Sequence, residues 1–109
     1  MVDLKEYGWS EPVDESPFDL PDGWEGGRVV NTGGNIFCRI WRYPEYNIEV
    51  IYNAADPGIG VQVNNGIDGV EILDTLDTPT TDDADKQEVA RKYIQEDFDL
   101  TEFEDTLDL

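Results

Sequence analysis

Arg39, Trp41 and Tyr43 alternate near the end of the run Asn35 to Tyr43, with Phe37 two residues before Arg39. Residues two apart in an extended strand share a face. Phe37, Arg39, Trp41 and Tyr43 therefore line one side, and Arg28 can join them from a neighbouring strand. Rings interleaved with guanidinium groups on an open sheet can stack nucleobases, at about 1–3 kcal/mol per base, and neutralise phosphates. The same stripe suits a protein partner or a second copy of the chain, and it can also be covered from within by Trp9, Phe18 or Trp24. Arg28, Phe37, Arg39, Trp41 and Tyr43 are thus the candidate partner face, with protein, self or other, as the expected partner. Nucleic acid is the lesser expectation, carried by Arg28, Arg39, Trp41 and Arg42, because the chain as a whole repels phosphate.

Other chemistry finds little support. There is no histidine, the side chain that titrates nearest neutral pH and the commonest transition-metal ligand. Cys38 is the single cysteine, so neither an internal disulfide nor a cysteine-based zinc site can form, and its strand position reads as a buried apolar residue. The carboxylates Asp82, Asp83, Asp85 and Glu88 suit a hard cation, but Glu88 stands where a calcium loop counted from Asp83 needs its glycine. They read as a solvated helix start. Asp56-Pro57-Gly58-Ile59-Gly60 lacks both the Lys-Ser/Thr end of a phosphate loop and the third glycine of a dinucleotide fingerprint, and reads as a hairpin turn. No nucleophile with a base, no metal cluster and no cofactor loop can be assembled, so a non-enzyme without cofactor is expected.

The elements that position these residues follow from turn chemistry and alternation. Gly33-Gly34 joins Arg28–Thr32 to Asn35–Tyr43 as a hairpin, and Pro44-Glu45-Tyr46 leads into Asn47–Asn53. Further turns precede Ile59–Asn64 and Val70–Leu73, giving short strands at meander spacing. Ile36, Cys38 and Ile40 fall on one face of their strand, as do Ile48, Val50 and Tyr52, and Val61 and Val63, of theirs. One apolar face is expected, covered by a helix from about Thr81 to Asp97 that turns Val89, Ala90, Tyr93 and Ile94 to one side. Thr80 and Asp83 are spaced as a capping box, and a weaker one, Thr101 to Glu104, starts a short helix or tail ending near Leu107.

The predicted fold is α+β: a four- to five-stranded antiparallel meander with one C-terminal helix on one face. Residues 1–17 are expected as an extended acidic arm whose composition permits mobility, 18–98 as the single α+β domain, and 99–109 as an acidic amphipathic helix or tail. The stretch from Phe18 to Trp24 should dock on the domain, since exposed rings forfeit about 1.5–3 kcal/mol each relative to burial.

The 109 residues carry 26 acids against seven bases, a formal charge of −19. Eight acids and one base in residues 1–27 give −7, five and three in 28–73 give −2, and thirteen and three in 74–109 give −10. A nearly neutral centre lies between acidic ends. With three lysines and frequent aspartate, this composition resembles that of haloarchaeal cytoplasmic proteins in general, where molar salt shortens the Debye length to about 3 Å. The start lacks a basic and apolar leader, so a cytoplasmic location is expected. The expected function is a non-catalytic acidic binding or assembly module of a halophilic cytoplasm. A nucleic-acid-associated regulator and a DNA mimic, offering carboxylates in place of phosphates to a basic partner, are the alternatives.

Overall fold

A computed structural model describes residues 4–34 and 36–107 of the chain. Asn35, the expected first residue of the second strand, and both extreme termini lie outside the described residues. The fold is the expected α+β meander: β1 (Glu25–Gly33), β2 (Ile36–Tyr43), β3 (Ile48–Asn53), β4 (Ile59–Asn64) and β5 (Val70–Leu76) form one sheet in the order β1-β2-β3-β4-β5. Every neighbouring pair is antiparallel. The β1–β2 turn is held by Asn31, whose Nδ2 donates to Gly34 O and whose Oδ1 accepts from Gly33 N, both at 2.8 Å. The β2–β3 turn is a short 3-10 segment, Pro44–Tyr46, closed by Asn47 in the left-handed conformation at φ 56°.

That turn fixes which face is which. Four residues between Tyr43 and Ile48 set these two opposite each other, so Trp41 faces Val50 and Arg39 faces Tyr52. Directly opposed residues share a face. The apolar side of β3 therefore belongs with Phe37, Arg39, Trp41 and Tyr43, and not with Ile36, Cys38 and Ile40 as alternation on β2 alone suggests. Both sides of β2 are apolar enough to serve, and the parity of the turn decides between them.

The helix α1 (Asp83–Lys92) lies on this Trp41 face and continues as one π turn, Tyr93–Asp97. Ala90, Tyr93 and Ile94 join Trp41, Ile48, Val50, Ile59, Val61 and Val63 in one core. Its start differs from the expected capping box. The Thr80 hydroxyl accepts from Asp82 N at 3.1 Å and donates to Asp85 Oδ2 at 2.5 Å, while Asp83 turns inward. At the C-terminal end Asp99, not Thr101, caps the 3-10 turn Leu100–Phe103 by accepting from Thr101 N at 2.9 Å. The four-residue helix α2 (Glu104–Leu107) follows.

The N-terminal segment crosses the same face as α1. Trp9 is buried against Tyr52 with ring centroids 5.5 Å apart, and Phe18 stacks on Trp41 at 5.2 Å. Trp24 wedges between Tyr43 at 5.4 Å and Phe98 at 5.0 Å. Val13 O accepts from Val29 N at 2.8 Å, so the segment also runs along the outer side of β1. Close approach here depends on Gly27 at φ +102°, where a Cβ would stand 2.5 Å from Trp41 Nε1 and 2.6 Å from Ser16 Cβ.

Candidate interaction surface

Arg39 and Trp41, the centre of the expected partner face, are both 0% exposed. Phe37 and Tyr43 are half-buried beside the same core, and only Arg28 stands in solvent. The stripe is covered from within by Trp9, Phe18 and Trp24 together with α1, so Arg39 and Trp41 build the interior while Phe37 and Tyr43 stand at its margin. Arg42 points to the other side, where its Nε donates to Glu49 Oε2 at 3.0 Å. Of the four residues assigned to nucleic acid, two are interior, one is ion-paired, and Arg28 alone is exposed without a pairing among the described residues.

Covering a guidinium-bearing stripe requires that its charge be answered, since an isolated buried charge is strongly unfavourable. The Arg39 guanidinium donates to Tyr52 Oη at 3.0 Å, Gly27 O at 2.8 Å, Ser10 O at 3.3 Å and Glu15 O at 3.4 Å. Its Nη2 pairs with Asp83 Oδ2 at 3.5 Å, both side chains fully buried. Tyr52 Oη donates to Asp83 Oδ1 at 2.5 Å, while Asp83 Oδ2 accepts from Ser10 N at 2.7 Å and Gln87 Nε2 at 3.1 Å. One knot of hydrogen bonds thus ties the N-terminal segment, the sheet and α1 together. Burial pushes the Tyr52 phenol well above its ordinary range, with the Asp83 carboxylate reinforcing the shift against Arg39, so Tyr52 remains a donor.

Lys86 is a second buried cation. Its ammonium donates to Asn53 O at 2.8 Å, Asp56 O at 2.5 Å and Ala54 O at 3.3 Å, gathering the β3–β4 loop under α1. Burial pulls its pKa down, against the pull of Asp83 and Asp56 upward. The Asp82–Glu88 carboxylates do not converge: Asp83 enters the knot and Glu88 pairs with Arg91. No group of three or more potential metal ligands forms among the described residues. From sequence Asp83 reads as a solvated helix-start acid and Tyr52 as an apolar-face residue, and neither they nor Lys86 are expected in a buried polar network; the one available signal is an acid, Asp83, three residues before a lysine at the start of an otherwise solvated helix.

The opposite face of the sheet is different. Val30 pairs with Cys38 and Ile40 with Ile51 on that side, and none of these four belongs to the main core. Cys38 is buried, as its strand position suggests, but on this second face. A polar row adjoins them: Glu49 accepts from Arg42, from Gln62 Nε2 at 2.9 Å and from Asn64 Nδ2 at 3.4 Å. Beyond it stand Ile72 and Val70, opposite Gln62 and Asn64, at 62% and 50% exposure, and Ile36 at the far corner at 62%. Ile36 also borders a cleft of about 360 Å³ with Tyr7, Trp9, Phe37 and the loop Asn53–Asp56.

Fold and surface together define a small α+β domain with one face of its sheet closed by its own chain and a second face outside that core, where Cys38, Ile40 and Glu49 are buried and Ile36, Val70 and Ile72 are exposed. Comparison with protein-family models, curated proteins and solved structures finds no match. No helix among the described residues is long and apolar enough to cross a membrane.

Proposed function

We propose that this chain is a non-catalytic protein-binding or assembly module of a halophilic cytoplasm, and that it binds through the exposed part of the second face of its sheet. The observation that carries the proposal is the pair of aliphatic side chains left in water there, Val70 and Ile72, with Ile36 at the far corner of the same face, on a domain that covers every described ring but Tyr7. Val70 and Ile72 lie side by side, and exposed apolar side chains grouped on one surface mark interaction sites more often than scattered ones do. The acid surplus supports the halophilic part. Arg39 and Lys86 are spent internally, on Asp83 and on carbonyls, and Arg42 and Lys92 pair with Glu49 and Asp97, leaving most carboxylates to solvent. The buried cations serve structure, which supports a role in binding and not in catalysis.

The test is capture of partners by the full-length chain from a halophilic cell lysate at molar KCl, comparing wild type with Ile36→Asp and Ile72→Asp. A partner retained by wild type and lost by either variant, with the far-UV spectrum unchanged, is the expected result. Capture that both variants leave intact, or no capture by wild type, contradicts the proposal. A basic partner held equally by all three and released by added salt favours the DNA-mimic alternative.

A further inference from the structure

The two edges of the sheet are managed differently. The outer side of β1 is occupied, because Val13 O accepts from Val29 N and Ser16 packs on Gly27. Both edge strands are irregular, β1 with two register shifts against β2 and β5 with one against β4 between Val61 and Gln62, so it is the occupied outer side of β1 that separates the two edges. At the other end, no strand among the described residues pairs beyond β5. Among the described residues no backbone hydrogen bond joins β5 to anything but β4, and Thr75 N turns to Asp74 Oδ1 at 2.8 Å.

Side chains along that edge are arranged by face. Three of the five large apolar residues exposed among the described residues, Ile67, Val70 and Ile72, fall within this hairpin end and strand. Val70 and Ile72 stand on the second face, opposite Asn64 and Gln62. Glu71 and Asp74 stand on the other side, opposite Val63 and Val61. Asp68 and Asp77 flank the strand, and no base lies between Gly66 and Asp77. On the helix side the field is negative as well: the carboxylates of Asp74, Glu102 and Asp97 all act on the Tyr93 phenol, which burial has already raised.

We propose that the outer edge of β5 takes an extended segment of a partner protein as a sixth strand, with aliphatic residues beside Val70 and Ile72 and basic residues beside Glu71 and Asp74. Backbone pairing supplies affinity in such strand addition, and alternate side chains supply choice. Charge selects the occupant. A second copy that set Val70 against Ile72 would bring Glu71 opposite Glu71, and like charges directly opposed in a sheet are unfavourable. A segment alternating aliphatic and basic residues meets both sides of the edge along Val70–Ile72, before the register shift that precedes Asp74. The inference rests on the protein-binding proposal above and specifies its occupant.

The experiment uses the full chain and two synthetic peptides of about eight residues, the length of an ordinary strand, one alternating valine with lysine and the other valine with glutamate. Binding is followed by amide NMR and hydrogen exchange at the lowest KCl at which the chain stays folded. The valine–lysine peptide is expected to shift and protect amides within Val70–Leu76, and the valine–glutamate peptide to have no effect. In Glu71→Lys/Asp74→Lys the preference should reverse, with a loss of about tenfold for the lysine peptide. Binding that maps elsewhere, or a preference unchanged by the swap, overturns the inference. So does protection of β5 amides that grows with protein concentration alone, which would mean self-pairing. If neither peptide binds while capture still depends on Ile36, this edge is not the site and the binding proposal stands; if capture is also absent, both fail.

Discussion

At the scale of single residues the decisive fact is that Arg39 is inside. A guanidinium in an apolar interior is tolerated because five acceptors meet it, four of them neutral oxygens and the fifth the Asp83 carboxylate. Removing one partner of a buried ion pair leaves the other uncompensated, at about 3–5 kcal/mol. Asp83→Asn keeps the shape and removes the charge, so it should lower the free energy of unfolding by about 3 kcal/mol in denaturant titrations at fixed KCl. A loss below about 0.5 kcal/mol, the size of an ordinary surface substitution, would show that the carboxylate is not needed. Tyr52 and Tyr93 add a pH dependence. Both phenols are raised from 10.0 by burial. The neutral form is thus favoured in the folded state, and its stabilisation is complete below pH 10.0, then lost as the pH climbs above it and the unfolded chain ionises. Stability should fall above that pH, and the tyrosinate absorbance of these two should appear only with unfolding.

At the scale of elements, the N-terminal segment is part of the core. Trp9, Val13 and Phe18 pack on the same cluster as α1, and Trp9 also lies 5.6 Å beneath the Arg39 guanidinium. Trp9→Ala would remove a buried ring and open water to Arg39. The expected loss is about 3–5 kcal/mol, read by denaturant titration, with amide exchange accelerated across β2 and the start of α1. A change confined to residues 4–13 would mean that the segment is only laid on the surface. Most elements were legible in the sequence because glycine pairs, proline and alternation mark strands and turns directly. The faces of β2 were not, because Ile36-Cys38-Ile40 and Phe37-Arg39-Trp41-Tyr43 are both plausible core sides and the choice rests on long-range register. Arg39 deepened the ambiguity, since arginine ordinarily marks a solvent face. Its acceptors come from residues 12 to 44 positions away, beyond what local pattern can reveal, in Gly27, Tyr52, Glu15, Ser10 and Asp83. The exposed aliphatics of β5 were legible as residues but not as a surface, because only the sheet order makes β5 an edge.

At the scale of the whole molecule, the core and the charge oppose each other. The principal extents are 42 × 31 × 24 Å. At about 0.01 M salt the Debye length is about 30 Å, as long as the domain is wide, so each surplus acid repels nearly all the others; at 1 M it is about 3 Å and only contacts matter. Acids concentrate in the C-terminal third, at −10 for residues 74–109, while the sheet centre is close to neutral. Repulsion should therefore act first on α1 and the turns after it, whose contacts with the sheet complete the core. The most direct test is amide NMR of the isolated full-length chain as KCl rises from near zero to molar concentration. A dispersed spectrum that forms only as salt rises, with the α1 and Leu100–Leu107 signals last to sharpen, is the predicted result. A spectrum fully dispersed and equally stable at the lowest salt would contradict adaptation to salt and leave the acidic surface to be explained by a partner.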